Sequence, residues 1–181
     1  MERCRLMFSG AGGQGVITAA IILAEAAAMH ENLNAVQTQT YGPEARGGSS
    51  RSEVIIADTP ILFPKVTQPN LLVCLTQEAY NKFHHLIRPG GTLLSDVRYV
   101  KTLKKVDAYR VELPMHKTVM EEIGNPIVFN ICMLGVVIEI IGCVKPESVM
   151  KVLESRMPPA SLEMNRNALE LGIDLASPFK R

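Results

Sequence analysis

The chain has 181 residues, 47% of them hydrophobic and 20% charged, the balance of a globular domain large enough to bury a core without covalent staples. With 19 Lys+Arg against 18 Asp+Glu the formal net charge is +1, which excludes the strong field that bulk nucleic-acid binding needs. Cys4, Cys74, Cys132 and Cys143 are scattered and form no C-x-x-C pair, which argues against a thiolate zinc or iron–sulfur site and predicts no metal ligands on this chain.

In chain order, residues 3–9 read as a short apolar strand that runs into Gly10-Ala-Gly-Gly-Gln-Gly15 and then into an apolar helix from Val16 to Met29. Glu25 is the only charge on that helix, so it should pack against a sheet. Further strands are expected near 35–39, over 51–57, as a central parallel strand over 71–75, over 92–95 and over 108–113, with prolines at 60, 64 and 69 marking loops and a helix over 78–87. After Pro114 the pattern turns helical: 115–123, 127–141, 147–154, and 161–171 closed by Gly172 as a C-cap. The apolar stretch from Ile127 to Val144 contains Asn130, Gly135, Glu139 and Gly142 and falls short of the about 20 clean apolar residues of a membrane span. It reads as a buried helix in which Asn130 finds a hydrogen-bond partner. The resulting expectation is one domain, 1–181, with a three-layer α/β/α fold, a mostly parallel sheet and a helical C-terminal third. No export signal is evident, and each free cysteine lies in or beside an apolar run, as suits a reducing cytoplasm.

Two segments carry chemistry. Gly10, Gly12 and Gly15 satisfy G-x-G-x-x-G between a strand and a helix, the Rossmann-like context in which glycine lets a ligand approach the backbone and the helix start attracts an anion. The acidic residue that recognises a dinucleotide ribose is missing, since the next strand ends in Gln37-Thr-Gln39. Close packing of helix on strand would explain the same glycines, but Gln14 offers a polar amide at the mouth of the turn. The second segment, from Thr40 to Ser52, gathers Tyr41, Glu44, Arg46 and Arg51 among three glycines and a proline. A mobile backbone beside a forked guanidinium suits a carboxylate or phosphate, and a solvated surface loop is the plain alternative. The candidate cofactor-binding set is therefore Gly10, Gly12, Gly13, Gln14, Gly15, Tyr41, Glu44, Arg46 and Arg51. His30, His84, His85 and His116 pair with no nucleophile at a telling spacing and read as surface or helix-end residues.

GAGGQGVITAA at Gly10 to Ala20 and QTYGPEARGGSSRSEVIIAD at Gln39 to Asp58 resemble the gamma subunit of 2-oxoacid:ferredoxin oxidoreductases. The similarity continues through PILFPKVTQPNLLVCLTQEAY, PGGTLLSD and GNPIVFNICMLG, over nearly the whole chain. YGPEARGG is most similar to the 2-oxoglutarate-type branch, with pyruvate, 2-oxoisovalerate and indolepyruvate enzymes as relatives. The resemblance implies a cytoplasmic complex of anaerobic metabolism that converts a 2-oxoacid and coenzyme A to acyl-CoA and CO2 and passes electrons to ferredoxin. It implies alpha and beta partners, with a delta subunit in some complexes, that carry thiamine diphosphate and the iron–sulfur clusters. No catalytic residue is expected here, no tightly bound cofactor, and no contact with nucleic acid or membrane; coenzyme A is the one ligand this chain could take. Two other readings stay open: a stand-alone nucleotide- or CoA-binding α/β protein such as a nicotinamide-dependent dehydrogenase, and a non-catalytic module that recruits coenzyme A or an acidic partner.

Overall fold

The computed structural model describes residues 3–41, 49–103 and 105–180, apart from the side chains at 41 and 49. Its strands are β1 (Cys4–Ala11), β2 (Asn34–Tyr41), β3 (Ser49–Ala57), β4 (Leu71–Cys74), β5 (Gly91–Asp96) and β6 (Ala108–Leu113). Its helices are α1 (Val16–His30), α2 (Gln77–Phe83), α3 (Met115–Glu122), α4 (Phe129–Ile141), α5 (Pro146–Arg156) and α6 (Pro159–Ala176). The strands form one six-stranded sheet in the order β2-β3-β1-β4-β5-β6. Pairings β1–β4, β4–β5 and β5–β6 are parallel, whereas β3 runs antiparallel to both β1 and β2. The mostly parallel α/β expectation therefore holds, with β1 a central strand as its apolar run requires.

Alternation along β1 separates two cores. Leu6 and Phe8 join the larger one, which α1, α3, α4, α5 and α6 cover, while Met7 joins a smaller one with Ile55, Leu72, Leu93 and the α2 residues Tyr80 and Phe83. The three layers are thus unequal, five helices on one face and one short helix on the other. The single charge of α1, Glu25, reaches out to Arg156 of α5 at 2.6 Å. At the end of the same helix Glu31 Oε1 accepts hydrogen bonds from Lys145 N (2.8 Å) and Ser148 Oγ (2.6 Å), capping α5 from outside.

Three sequence expectations need correction. Gly10 belongs to β1, not to the turn, because its backbone still pairs with Ser50 of β3. The helix expected from Ile127 starts at Phe129, after a 3₁₀ turn over Pro126–Val128 whose first turn is capped by Asn125 Oδ1 accepting from Ile127 N. Most consequentially, Gly172 is no C-cap. It lies inside α6, where a Cβ would come within 1.9 Å of Cys132 O, and the facing Gly135 would put a Cβ 2.2 Å from Leu169 O. These two glycines let α4 and α6 touch backbone to backbone, a packing role that reads in sequence like a helix stop. Among the described residues no helix is long and apolar enough to cross a membrane.

Candidate functional site

The carboxyl ends of β1, β4 and β5 and the starts of α1, α3 and α4 meet at one edge of the sheet. Chain order switches sides here, with β1 leading through α1 to β2 on one flank and β4 lying on the other, which is where open α/β sheets present ligand sites. A hollow of about 340 Å³ opens at this edge, lined by Gly13, Gln14, Gly15, Tyr99, His116, Ile127, Phe129 and Asn130 among others. The turn that forms its floor depends on two glycines with positive φ, Gly13 at 91° and Gly15 at 71°. Gly13 faces open space, so only its backbone conformation demands glycine; at Gly15 a Cβ would also lie 2.7 Å from the Cβ, Cγ and Nδ2 of Asn130. Gly15 is the N-cap residue of α1 and supplies no side-chain cap, and neither α1, α3 nor α4 has an acidic residue in its first turn. The positive ends of the α1 and α4 dipoles are therefore left without compensating carboxylates in their first turns, whereas Asp96 Oδ2 accepts from His116 N at the start of α3.

Gln14 does a different task from the one its position suggests. Its Oε1 accepts from Ala11 N at 2.7 Å and its Nε2 donates to Leu75 O at 3.0 Å, so the side chain ties the end of β1 to the segment after β4. The amide that should find a partner, Asn130, is half-buried and, among the described residues, has none; it sits over Gly15 and lines the hollow.

The far wall is built on Asp96, which is fully buried at the end of β5. Its Oδ1 accepts from Arg98 N at 2.8 Å and its Oδ2 from His116 N at 2.7 Å, so one carboxyl group folds the loop after β5 and caps α3. Burial raises its pKa, against the opposing backbone hydrogen bonds from His116 and Arg98 and the positive charge near those residues. Tyr99 and His116, held this way, cluster with Phe129 of α4: Tyr99 and His116 at 5.5 Å and 86°, His116 and Phe129 at 5.7 Å and 61°, Tyr99 and Phe129 at 6.2 Å and 64°. Arg98 lies 5.7 Å over the Tyr99 ring and 3.4 Å from His116 Nδ1. Burial raises the Tyr99 phenol as well, with Asp96 adding to that effect and Arg98 opposing it.

The structure thus brings Gly13, Gln14 and Gly15 to the hollow, and Gly12 is exposed beside them. Arg51 is elsewhere. It lies on the α2 face, where Nε donates to Glu53 Oε1 at 2.9 Å, Nη2 also contacts that oxygen, and the guanidinium sits 5.2 Å over the Phe83 ring. Glu44, Arg46 and the Tyr41 side chain fall outside the described residues. The strand register nevertheless brings both ends of their loop to the same sheet edge as the glycine turn, since Tyr41 pairs with Ser50, Ser50 with Gly10 and Ser49 with Ala11. Asp96, Tyr99, His116, Phe129 and Asn130 are the residues that sequence reasoning missed. Each stands at or just beyond an element terminus on the carboxyl edge, a signal visible only once the strand order is known.

Comparison with known proteins gives the family. The family model for pyruvate ferredoxin/flavodoxin oxidoreductase matches residues 5–175. The chain belongs to that family. It is 46% identical over 176 residues to the 2-oxoglutarate synthase subunit KorC of Methanocaldococcus jannaschii, covering 96% of this chain and 94% of the relative. Its fold matches the crystal structure of a keto/oxoacid ferredoxin oxidoreductase gamma subunit from Geobacter sulfurreducens with a TM-score of 0.86 at 40% identity, over 97% of this chain and 99% of the other. The 2-oxoglutarate:ferredoxin oxidoreductase of Magnetococcus marinus, solved with 2-oxoglutarate, coenzyme A and succinyl-CoA bound, shares the fold alone. Its TM-score is 0.88 at 20% identity, over 98% of this chain and 32% of that one. The family's members are oxidoreductase subunits that work in multi-subunit complexes, and the resemblance in the glycine turn and the following loop marks this same family.

Proposed function

We propose that this chain, as one domain over 1–181, is the gamma subunit of a cytoplasmic 2-oxoglutarate:ferredoxin oxidoreductase, and that the hollow at the carboxyl edge receives the phosphates of coenzyme A. The observation that carries the ligand assignment is the convergence of the Gly13–Gly15 turn with the starts of α1 and α4 on one cavity, neither helix having a carboxylate in its first turn. A phosphate seated there gains from helix dipoles and from unpaired backbone N–H groups, while Tyr99, His116 and Phe129 give flat faces for the organic part of the ligand. The similarity to 2-oxoglutarate synthase subunits supports the substrate class. Alpha and beta partners would supply thiamine diphosphate and the iron–sulfur clusters, and ferredoxin would meet the complex rather than this chain. The thiamine ylid and the clusters perform the decarboxylation and electron transfer, so this chain's part is to bind, orient and dock.

In this reading Arg46 and Tyr41 join the site or its interface, since the two ends of their loop reach the same edge. A nicotinamide-dependent dehydrogenase finds no support, because the ribose-binding acid is absent from the end of β2. The test is Asn130→Asp in the assembled complex. A carboxylate at that wall should weaken coenzyme A binding in calorimetry by about 10-fold, or about 1.4 kcal/mol, and leave the KM for 2-oxoglutarate unchanged. Unaltered coenzyme A affinity in a folded, assembled variant would leave the hollow without this ligand.

A further inference from the structure

At the opposite edge of the sheet, where the parallel strands begin, two cysteines far apart in sequence come together. Cys4 is the first residue of β1, and Cys143 directly follows Gly142, whose φ of 65° ends α4. Both line one hollow of about 380 Å³ with Arg3, Arg88, Asn70 and Ile140. Both are half-buried free thiols, and their side chains are in hydrogen-bonding contact. The remaining two cysteines lie deeper. Cys74 and Cys132 are fully buried in separate cores, and burial pushes each thiol up to about 12.

A pair of touching thiols that opens on a cavity has the chemistry of a reactive dithiol rather than of core filler. We propose that Cys4 and Cys143 form a redox-active pair that a peroxide converts reversibly to a disulfide. The Cys143 thiolate attacks one peroxide oxygen and the O–O bond breaks. Cys143 becomes a sulfenic acid, and the other oxygen leaves as water, carrying the proton that Cys143 gave up. The Cys4 sulfur then attacks the sulfenic sulfur; an S–S bond forms, the S–O bond breaks, and a second water leaves with the Cys4 proton. Two thiols give two electrons to one peroxide, and a dithiol reductant reverses the change. Cys143 is the attacking sulfur because the Cys4 hydrogen bond holds its thiol below the usual range, outweighing its burial and the nearby Glu31 carboxylate. The product would tie the start of the central strand to the end of α4.

The test uses the full chain, reduced and then exposed to hydrogen peroxide, with the remaining thiols blocked by iodoacetamide. Cleavage after glutamate separates the four cysteines, because Cys4 falls in the peptide 3–25 and Cys143 in 140–147. Mass spectrometry should find these two peptides linked and lighter by two hydrogens, with Cys74 and Cys132 still alkylated only after denaturation. Dithiothreitol should release the link. In Cys4→Ser the Cys143 sulfenic acid should persist and be captured by dimedone, and before oxidation Cys143 should react with iodoacetamide about 10-fold or more faster than Cys74 or Cys132. Oxidation without the 3–25 to 140–147 link, or equal reactivity of all four thiols in the folded chain, would overturn the proposal.

Discussion

Gly13 and Gly15 both hold positive φ, yet they should respond differently to a methyl group. Gly13→Ala meets only backbone strain, about 1 kcal/mol, because nothing lies within 4 Å of the added carbon. Gly15→Ala adds an overlap at 2.7 Å with Asn130 on a helix that cannot retreat, and should cost at least about 2 kcal/mol. Urea unfolding of the two variants checks the order, and an equal loss would mean that α4 is not seated on the turn. Asp96 gives a second test. Its folded pKa is raised, so the native state holds that proton more tightly than the unfolded chain does. The stability this supplies is complete below the ordinary aspartate value of about 3.9 and is lost as pH rises through the folded value. Asp96→Asn removes the ionisation but also one of the two acceptors for Arg98 N and His116 N, a loss of about 1–3 kcal/mol. The stability gap between wild type and variant, read by urea titration, should therefore be wider at pH 4 than at pH 7. A gap that widens toward pH 7 would show that the buried carboxyl stabilises as an anion.

Among the elements, the contact between α4 and α6 is the least forgiving. Gly172→Ala would drive a methyl into the α4 carbonyl at Cys132, and since neither backbone can move without opening the larger core, a cost of about 3 kcal/mol is expected. Thermal unfolding reads it directly; a loss under 1 kcal/mol would mean that the helices slide apart freely. The same pair shows where sequence reading stops. The apolar run at 71–75 reads as a strand because nothing else buries so many β-favouring side chains in so short a span, and the all-round apolar surface of α1 already demanded a sheet against it. Gly172 misled because a glycine near a helix end is indistinguishable, in one dimension, from a glycine that a second helix requires. The antiparallel insertion of β3 beside β1 also has no local signature, since register and neighbour are tertiary facts. Of the site, the Gly13–Gly15 turn was legible from its strand–glycine–helix context. Tyr99, His116 and Asn130 were not, because three distant termini converge there only through the order β1-β4-β5-β6.

For the whole molecule, the near-zero net charge and the lack of a C-x-x-C pair in the sequence accord with the proposal that partner chains carry the cluster and thiamine chemistry. The family assignment, the helix starts gathered on one cavity and the loop ends beside them all bear on one claim: this chain completes an oxidoreductase without performing its chemistry. The most direct test is 2-oxoglutarate- and coenzyme A-dependent reduction of a viologen dye, measured for the lone chain, for its alpha and beta partners, and for the three combined. The lone chain should show no turnover, and only the combination full turnover, with 2-oxoglutarate preferred over pyruvate. Turnover by the lone chain, or undiminished activity of the partners without it, would mean that this chain is not the non-catalytic subunit of such a complex.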